Sequence, residues 1–202
     1  MINLRRRQLL AAAALAPAAL VLSVPRQARA RGYGAGYFPN VILRTQDNEE
    51  VRFYDDLIKG KLVVIQFTYA SCNALCPLVT ANLVRVQHLL GSRVGRDIFM
   101  YSLTLEPEQD TPEVLKRHMQ AHGVGPGWTF LTGKHEDIEL LRHKFGLVDL
   151  DPVVDADASQ HTGMIRIGNE PYERWSACRG QERAEWIAKE ILWLAGPKPH
   201  AA

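Results

Sequence analysis

Two cysteines four positions apart, Cys72 and Cys76 in the stretch IQFTYASCNALCPL from Ile65 to Leu78, are the residues of this chain best suited to chemistry. They stand where an apolar, strand-like run gives way to a helix-like one. On the first turn of a helix, residues four apart face each other at about 5–6 Å, so both sulfurs could hold one metal ion or bond together. A helix N-terminus also favours thiolate, the form that ligates metals and attacks disulfides. Three uses therefore compete: a structural disulfide, a redox couple and a pair of metal ligands. Stapling explains the pair poorly, because Cys72, Cys76 and Cys178 are too few for a disulfide framework and leave one thiol over. So small a ring would also constrain the unfolded chain little.

Redox pairs of thioredoxin type usually have two residues between their cysteines, and the three found here suit a shared metal better. A metal would need a third ligand. His88, His118, His122, His135 and His143 fall in or at the ends of helix-like segments, and His200 is in the tail. His161 differs, since it follows the acidic loop of DADASQHTGMIRI and directly precedes an apolar strand, where a loop residue can reach across to the cysteine turn. Cys178, in SACRG, reads as a small apolar side chain at a strand end, with a resolving thiol or fourth ligand as its functional alternative. Met164 could serve as a thioether ligand, but core packing is its ordinary use. Trp186 and Trp193 lie seven apart on one helical face, which packing would explain.

The elements that must position these residues follow from periodicity. NVILRTQDNEEVRFYDDL reads as two strands around Gln46-Asp47-Asn48, and KLVVIQFTY as a strand buried on both faces. A helix after Pro77 stops at Gly91. DIFMYSLTL is a strand, and Thr111 caps a helix that has Pro112 at its first position. GWTFLTG is a strand, HEDIELLRHKFG a helix, TGMIRIG and YERWSA a hairpin through Asn169-Glu170-Pro171, and ERAEWIAKEILWLAG a closing amphipathic helix. Strands alternating with helices, then a late hairpin, specify an α/β domain with a mixed sheet.

The first thirty residues differ from the rest. MINLRRRQLL carries three arginines and no acid, an apolar run broken by Pro17 follows, and Ala28 to Ala30 supply a small-residue cleavage site. The apolar run from Leu9 to Val24 is shorter than the roughly 20 residues of a spanning helix. Residues 1–30 are expected to be an export signal, twin-arginine-like in RRQLL, with an uncleaved anchor as the alternative; membrane contact would come only through that segment. Residues 31–38 are expected to be flexible, 39–196 to form one domain and 197–202 a tail. Removing residues 1–30 takes away five arginines and no acid, so the formal charge moves from +2 to −3. With no basic stripe and no aromatic-basic interleaving, nucleic acid is excluded as a partner.

Four segments in order, GKLVVIQFTYASCNALCPLVTANL, SLTLEPEQDTPEVLKRHM, WTFLTGKHEDIELLRHKFGL and QHTGMIRIG, resemble the Sco/SenC proteins over about Pro39 to Leu194. The resemblance implies a thioredoxin-like mixed sheet flanked by helices with an N-terminal β-hairpin addition. It also implies copper, Cu(I) or Cu(II), on Cys72, Cys76 and His161. Two thiolates suit Cu(I), and an imidazole lets the same site hold Cu(II). The chain departs from the family in the Asn73-Ala74-Leu75 insert, where Pro usually follows the first cysteine, and in Glu106, where Asp is usual.

Two functions are then expected to compete. One is a periplasmic metallochaperone, a delivery protein and not an enzyme, passing copper to a cuproprotein client such as the dinuclear copper subunit of a cytochrome c oxidase. The other is a thiol-disulfide oxidoreductase in which Cys72 and Cys76 act on client cysteines and are restored by a thiol reductant. A thiol peroxidase, which would need Arg85 or Arg179 at the cysteine, is a weaker third.

Overall fold

The structure, a computed structural model, describes residues 36–155 and 162–196. Its centre is β3 (Leu62–Thr68), seven residues buried without interruption. On one side β4 (Ile98–Thr104) and then β5 (Trp128–Thr132) run parallel to it. On the other side β6 (Met164–Asn169) and then β7 (Arg174–Arg179) form the late antiparallel hairpin. The N-terminal hairpin of β1 (Ile42–Thr45) and β2 (Glu50–Arg52) joins the same sheet through β5, giving seven strands in the order β2-β1-β5-β4-β3-β6-β7.

Strand alternation divides β3 between two cores. Leu62 and Val64 face α1 (Leu75–Leu90), α2 (Pro112–Ala121) and α5 (Ala184–Ala195), through Val79, Leu83, Leu115 and Ile187. Val63, Ile65 and Phe67 face α3 (His135–Lys144), meeting Leu141 and Phe145. The expected stops hold: Thr111 Oγ1 accepts the Val114 N–H at the start of α2, and Gly91 ends α1 with φ +56°.

Three expectations need correction. The second strand ends at Arg52, and Phe53–Ile58 form a π-helical turn instead of continuing it. Side chains capture the backbone donors a ladder would use: Asn40 Oδ1 accepts the N–H groups of Tyr54 and Asp55, and Asp56 accepts that of Arg52. Tyr37 and Phe38, assigned to the flexible stretch, are anchored. Phe38 is buried, its ring 4.7 Å from that of Phe145 and 5.2 Å from that of Trp175, while the Tyr37 hydroxyl donates to Lys144 O. Trp186 and Trp193 are 48% and 66% exposed, because the buried stripe of α5 is Ala184, Ile187, Ala188, Ile191 and Leu194.

His118, on α2, packs its ring 5.8 Å from that of Phe130 and 4.3 Å from that of His122. Burial, then the neighbouring His122, pushes it down from 6.5 to about 4. Above pH 6.5 the folded and unfolded chains both hold it neutral. As pH falls below 6.5 only the unfolded chain gains the proton, so stability is lost down to about pH 4. Urea titrations should show a loss of about 1 kcal/mol between pH 7.5 and 5, allowing for partial exposure, that the His118→Phe variant lacks.

Candidate metal centre

The chain leaves β3 at Thr68 and turns tightly through Tyr69-Ala70-Ser71, with the Cys72 N–H donating to Tyr69 O at 3.3 Å. Helix α1 begins at Leu75, so Cys76 sits in its first turn while Cys72 precedes the helix. The two cysteines are thus not one helical face, as an i, i+4 pair would be. Instead Cys72 Sγ accepts the backbone N–H of Cys76 at 3.4 Å, satisfying a donor that the helix leaves over. Both are buried, at 5% and 2% exposure, and cluster with Tyr69 under Leu105. Burial foremost, then a hydrogen bond with Cys72, holds the Tyr69 phenol above its ordinary 10.

The segment after β4 holds this turn in place. The Leu105 N–H donates to Thr68 O at 2.8 Å, the Ser71 hydroxyl to Glu106 Oε2 at 3.0 Å, and the Ala70 N–H to Asp110 Oδ2 at 3.0 Å. Asp110 is 1% exposed and also takes the Thr104 hydroxyl at 2.5 Å; burial raises its carboxyl above the usual range. EPEQD is therefore a two-carboxylate staple on the residues before Cys72. Tyr69 and Asp110 are the site residues that sequence reasoning missed, although both lie inside segments that carried the resemblance.

His161 lies outside the described residues, as do residues 1–35 and 197–202, including His200. Its successors are placed. Gly163 has φ +61°, and a β-carbon there would stand 2.8 Å from Leu75 Cδ2, so glycine alone lets β6 begin against the residue between the cysteines. Its carbonyl accepts the Gly180 N–H at 2.8 Å. The other described histidines lie elsewhere: His88 is in the last turn of α1, His135 reaches Glu108 at 3.5 Å, and His118 packs on Phe130.

Cys178 is buried opposite Ile165 in the core beneath α1 and α5, outside the Tyr69–Cys72–Cys76 cluster. Burial foremost, then Glu190 and Glu182, pushes its thiol up to about 12. Met164 is not core: it is half-buried and, with Leu105, lines a cleft of about 530 Å³ beside the site. Arg85 lies nine residues beyond Cys76 on α1, roughly 13 Å along the axis, which removes it from peroxide chemistry there. Among the described residues, one group has metal-ligand spacing, Glu139, His143 and Asp155, and Arg142 already bonds both of its carboxylates.

The SCO1/SenC family model matches residues 43–196, all of the sheet but Ile42 at the start of β1, and every packed helix. The chain belongs to the SCO1/SenC family. The fold is the thioredoxin-like one of that family, with the hairpin addition expected. A SCO2-like protein of Rickettsia felis is 30% identical over 56% of this chain and 57% of its own length. The chain spans about half the length of the curated relatives it matches. Among solved structures, a SCO1/SenC family lipoprotein from Bacillus anthracis aligns with TM-score 0.62 and 26% identity, over 78% of this chain and 94% of that one. Bradyrhizobium japonicum ScoI, solved with copper bound, aligns with TM-score 0.61 and 22% identity, over 76% and 96%.

Proposed function

We propose that this SCO1/SenC chain is an exported copper-handling protein that takes copper on Cys72, Cys76 and His161 and passes it to a cuproprotein client, such as the dinuclear copper subunit of a respiratory oxidase. The observation that carries the reading is the Cys72–Cys76 cluster itself. Two soft sulfurs lie at a helix start, shielded by Tyr69 and Leu105, with the strand after His161 beginning against Leu75 between them. Thiolates in an apolar setting suit Cu(I), and an imidazole added to them extends the site to Cu(II). Three protein ligands leave a position through which a client ligand can enter and draw the metal away by exchange. The bound copper is cargo. The signal-like residues 1–30 support action outside the cytoplasm; among the described residues no helix is long and apolar enough to cross a membrane.

Copper stoichiometry tests this, with Cu(II) absorption recorded for the chain and its His161→Ala variant. One copper per chain, with a thiolate charge-transfer band lost in the variant, is the expected result. Little copper and a readily formed Cys72–Cys76 disulfide would favour the second reading. In that reading the two thiols reduce a client disulfide to two thiols, become a disulfide themselves, and are restored by an external thiol. Its support is the closeness of the pair, with Cys72 Sγ hydrogen-bonded to the Cys76 backbone.

A further inference from the structure

Two imidazoles share one face of α2, at the ends of the stretch HMQAH, His118 to His122. The His122 N–H donates to His118 O at 3.2 Å, so helical geometry reaches the end of the stretch although His122 caps the helix. Residues four apart on such a helix have β-carbons about 5–6 Å apart. The rings meet accordingly, with centroids 4.3 Å apart and planes at 73°. Phe130 supports His118 from the sheet side, at 5.8 Å. His118 Nε2 is buried and makes no hydrogen bond among the described residues. A native fold rarely leaves a buried polar atom so unless water or an ion reaches it. His122 is half-buried, so its ring can turn toward an ion arriving from solvent. His88, His135 and His143 have no second histidine one helical turn away. The three-ligand group of Glu139, His143 and Asp155 spans α3 and the short helix α4 (Pro152–Asp155), and its carboxylates already bond Arg142.

We propose that His118 and His122 form a metal site of their own, for a borderline divalent cation such as Zn(II). An i, i+4 pair on a helix is the spacing at which two imidazoles converge on one ion, and neutral imidazole suits zinc, Cu(II) and nickel. Each ring gives a nitrogen lone pair in place of a water, rotation of His122 opens the T-shaped contact, and water fills the remaining positions. Cu(I), which the sulfurs suit, finds no soft donor here. After His118 comes Met119, packed against the core, where hydrolytic zinc helices carry a glutamate as general base. The site therefore binds an ion without hydrolytic chemistry. It lies apart from the sulfurs: α2 packs on β5, and β4 stands between β5 and the β3 strand that leads into the cysteine turn. Two protein ligands hold the ion loosely, so it leaves on desalting and adds nothing to a copper count taken at the sulfurs.

The test is a Zn(II) titration of the full chain, followed through the imidazole nitrogen resonances in long-range proton–nitrogen spectra. One nitrogen of His118 and one of His122 should shift together and saturate together, while His88, His135 and His143 move little. Zinc taken by the sulfurs leaves both of those signals in place, so the readout belongs to α2 alone. His122→Gln keeps a polar side chain and removes the imidazole. It should weaken the zinc by about 10–100-fold or more, since losing even a group that merely orients a metal-bound histidine costs that much. His118→Phe, which fills the space on Phe130, should do the same. Equal shifts at every histidine, or a His118 shift that survives undiminished in His122→Gln, would mean that zinc meets single surface imidazoles only, and would overturn the proposal. No shift at either ring would overturn it too. If His118→Phe fails to fold, His122→Gln decides alone, because His122 is half-buried at the helix end.

Discussion

Serine in place of Cys72 is expected to weaken Cu(I) binding roughly 1,000-fold, about 4 kcal/mol, while leaving the fold nearly as stable. In the proposed site the metal would lose one of two soft donors and gain a hard hydroxyl in its place. The helix loses nothing, because a serine oxygen can take the Cys76 N–H that Cys72 Sγ now accepts at 3.4 Å. Cys76→Ser should be as damaging to copper and worse for stability, by about 1–3 kcal/mol, since position 76 is 2% exposed and a hydroxyl there must be desolvated. Competition against a Cu(I) chelator, run beside thermal melts of both variants, checks the pair. Equal melts, or a Cys72→Ser variant that keeps its copper, would contradict the division of roles between the two sulfurs.

Asp110→Ala should be the most damaging single change outside the sulfurs. It leaves the Ala70 N–H and the Thr104 hydroxyl without their acceptor under a protein surface, at about 1–3 kcal/mol for the unmade bonds and more for the vacated space. For a domain of this size the melting temperature should fall by about 5–12 °C. Asp110→Asn is the informative control. Both bonds fall on one oxygen, Oδ2, so an amide oxygen in that place can still accept from Ala70 and from Thr104, and the variant should lose about 1 kcal/mol or less. Differential scanning calorimetry on the three proteins measures this. The turn should slacken along with the melt, so alkylation of Cys72 by a small reagent should be faster in Asp110→Ala than in Asp110→Asn. If the two variants melt alike, Asp110 is not the staple its contacts describe.

Local pattern was sufficient wherever neighbours in sequence are neighbours in space. The β-branched run of β3, the Thr111 cap and the Gly91 stop are written within a few residues of where they act. The cysteine pair was legible from spacing, but its geometry was not: whether Cys72 lies on α1 or before it depends on where the helix starts, and Ala74, at the N-cap, has no capping side chain to signal it. The π-helical turn after β2 escaped because its acceptor, Asn40, stands fourteen positions before Tyr54. Asp110 acts across forty positions and Phe38 across more than a hundred, to Phe145, so neither role shows in any window. Arg142 reads as an ordinary surface charge on α3 until Asp155 folds over it. His161 was favoured by its place before β6 and made a ligand by resemblance, and it is the one proposed ligand outside the described residues.

The burial of Cys178 carries a consequence for the order of events in the life of the chain. Three cysteines allow three possible disulfides, and only the Cys72–Cys76 pairing leaves the site intact. In the folded domain the third sulfur is sealed beneath α1 and α5, its thiol held at about 12, so it takes no part in exchange. In an unfolded chain nothing distinguishes it from the other two. Correct pairing is therefore guaranteed only if folding comes before the first oxidant. A twin-arginine route, which moves cargo already folded, would impose that sequence without any further safeguard.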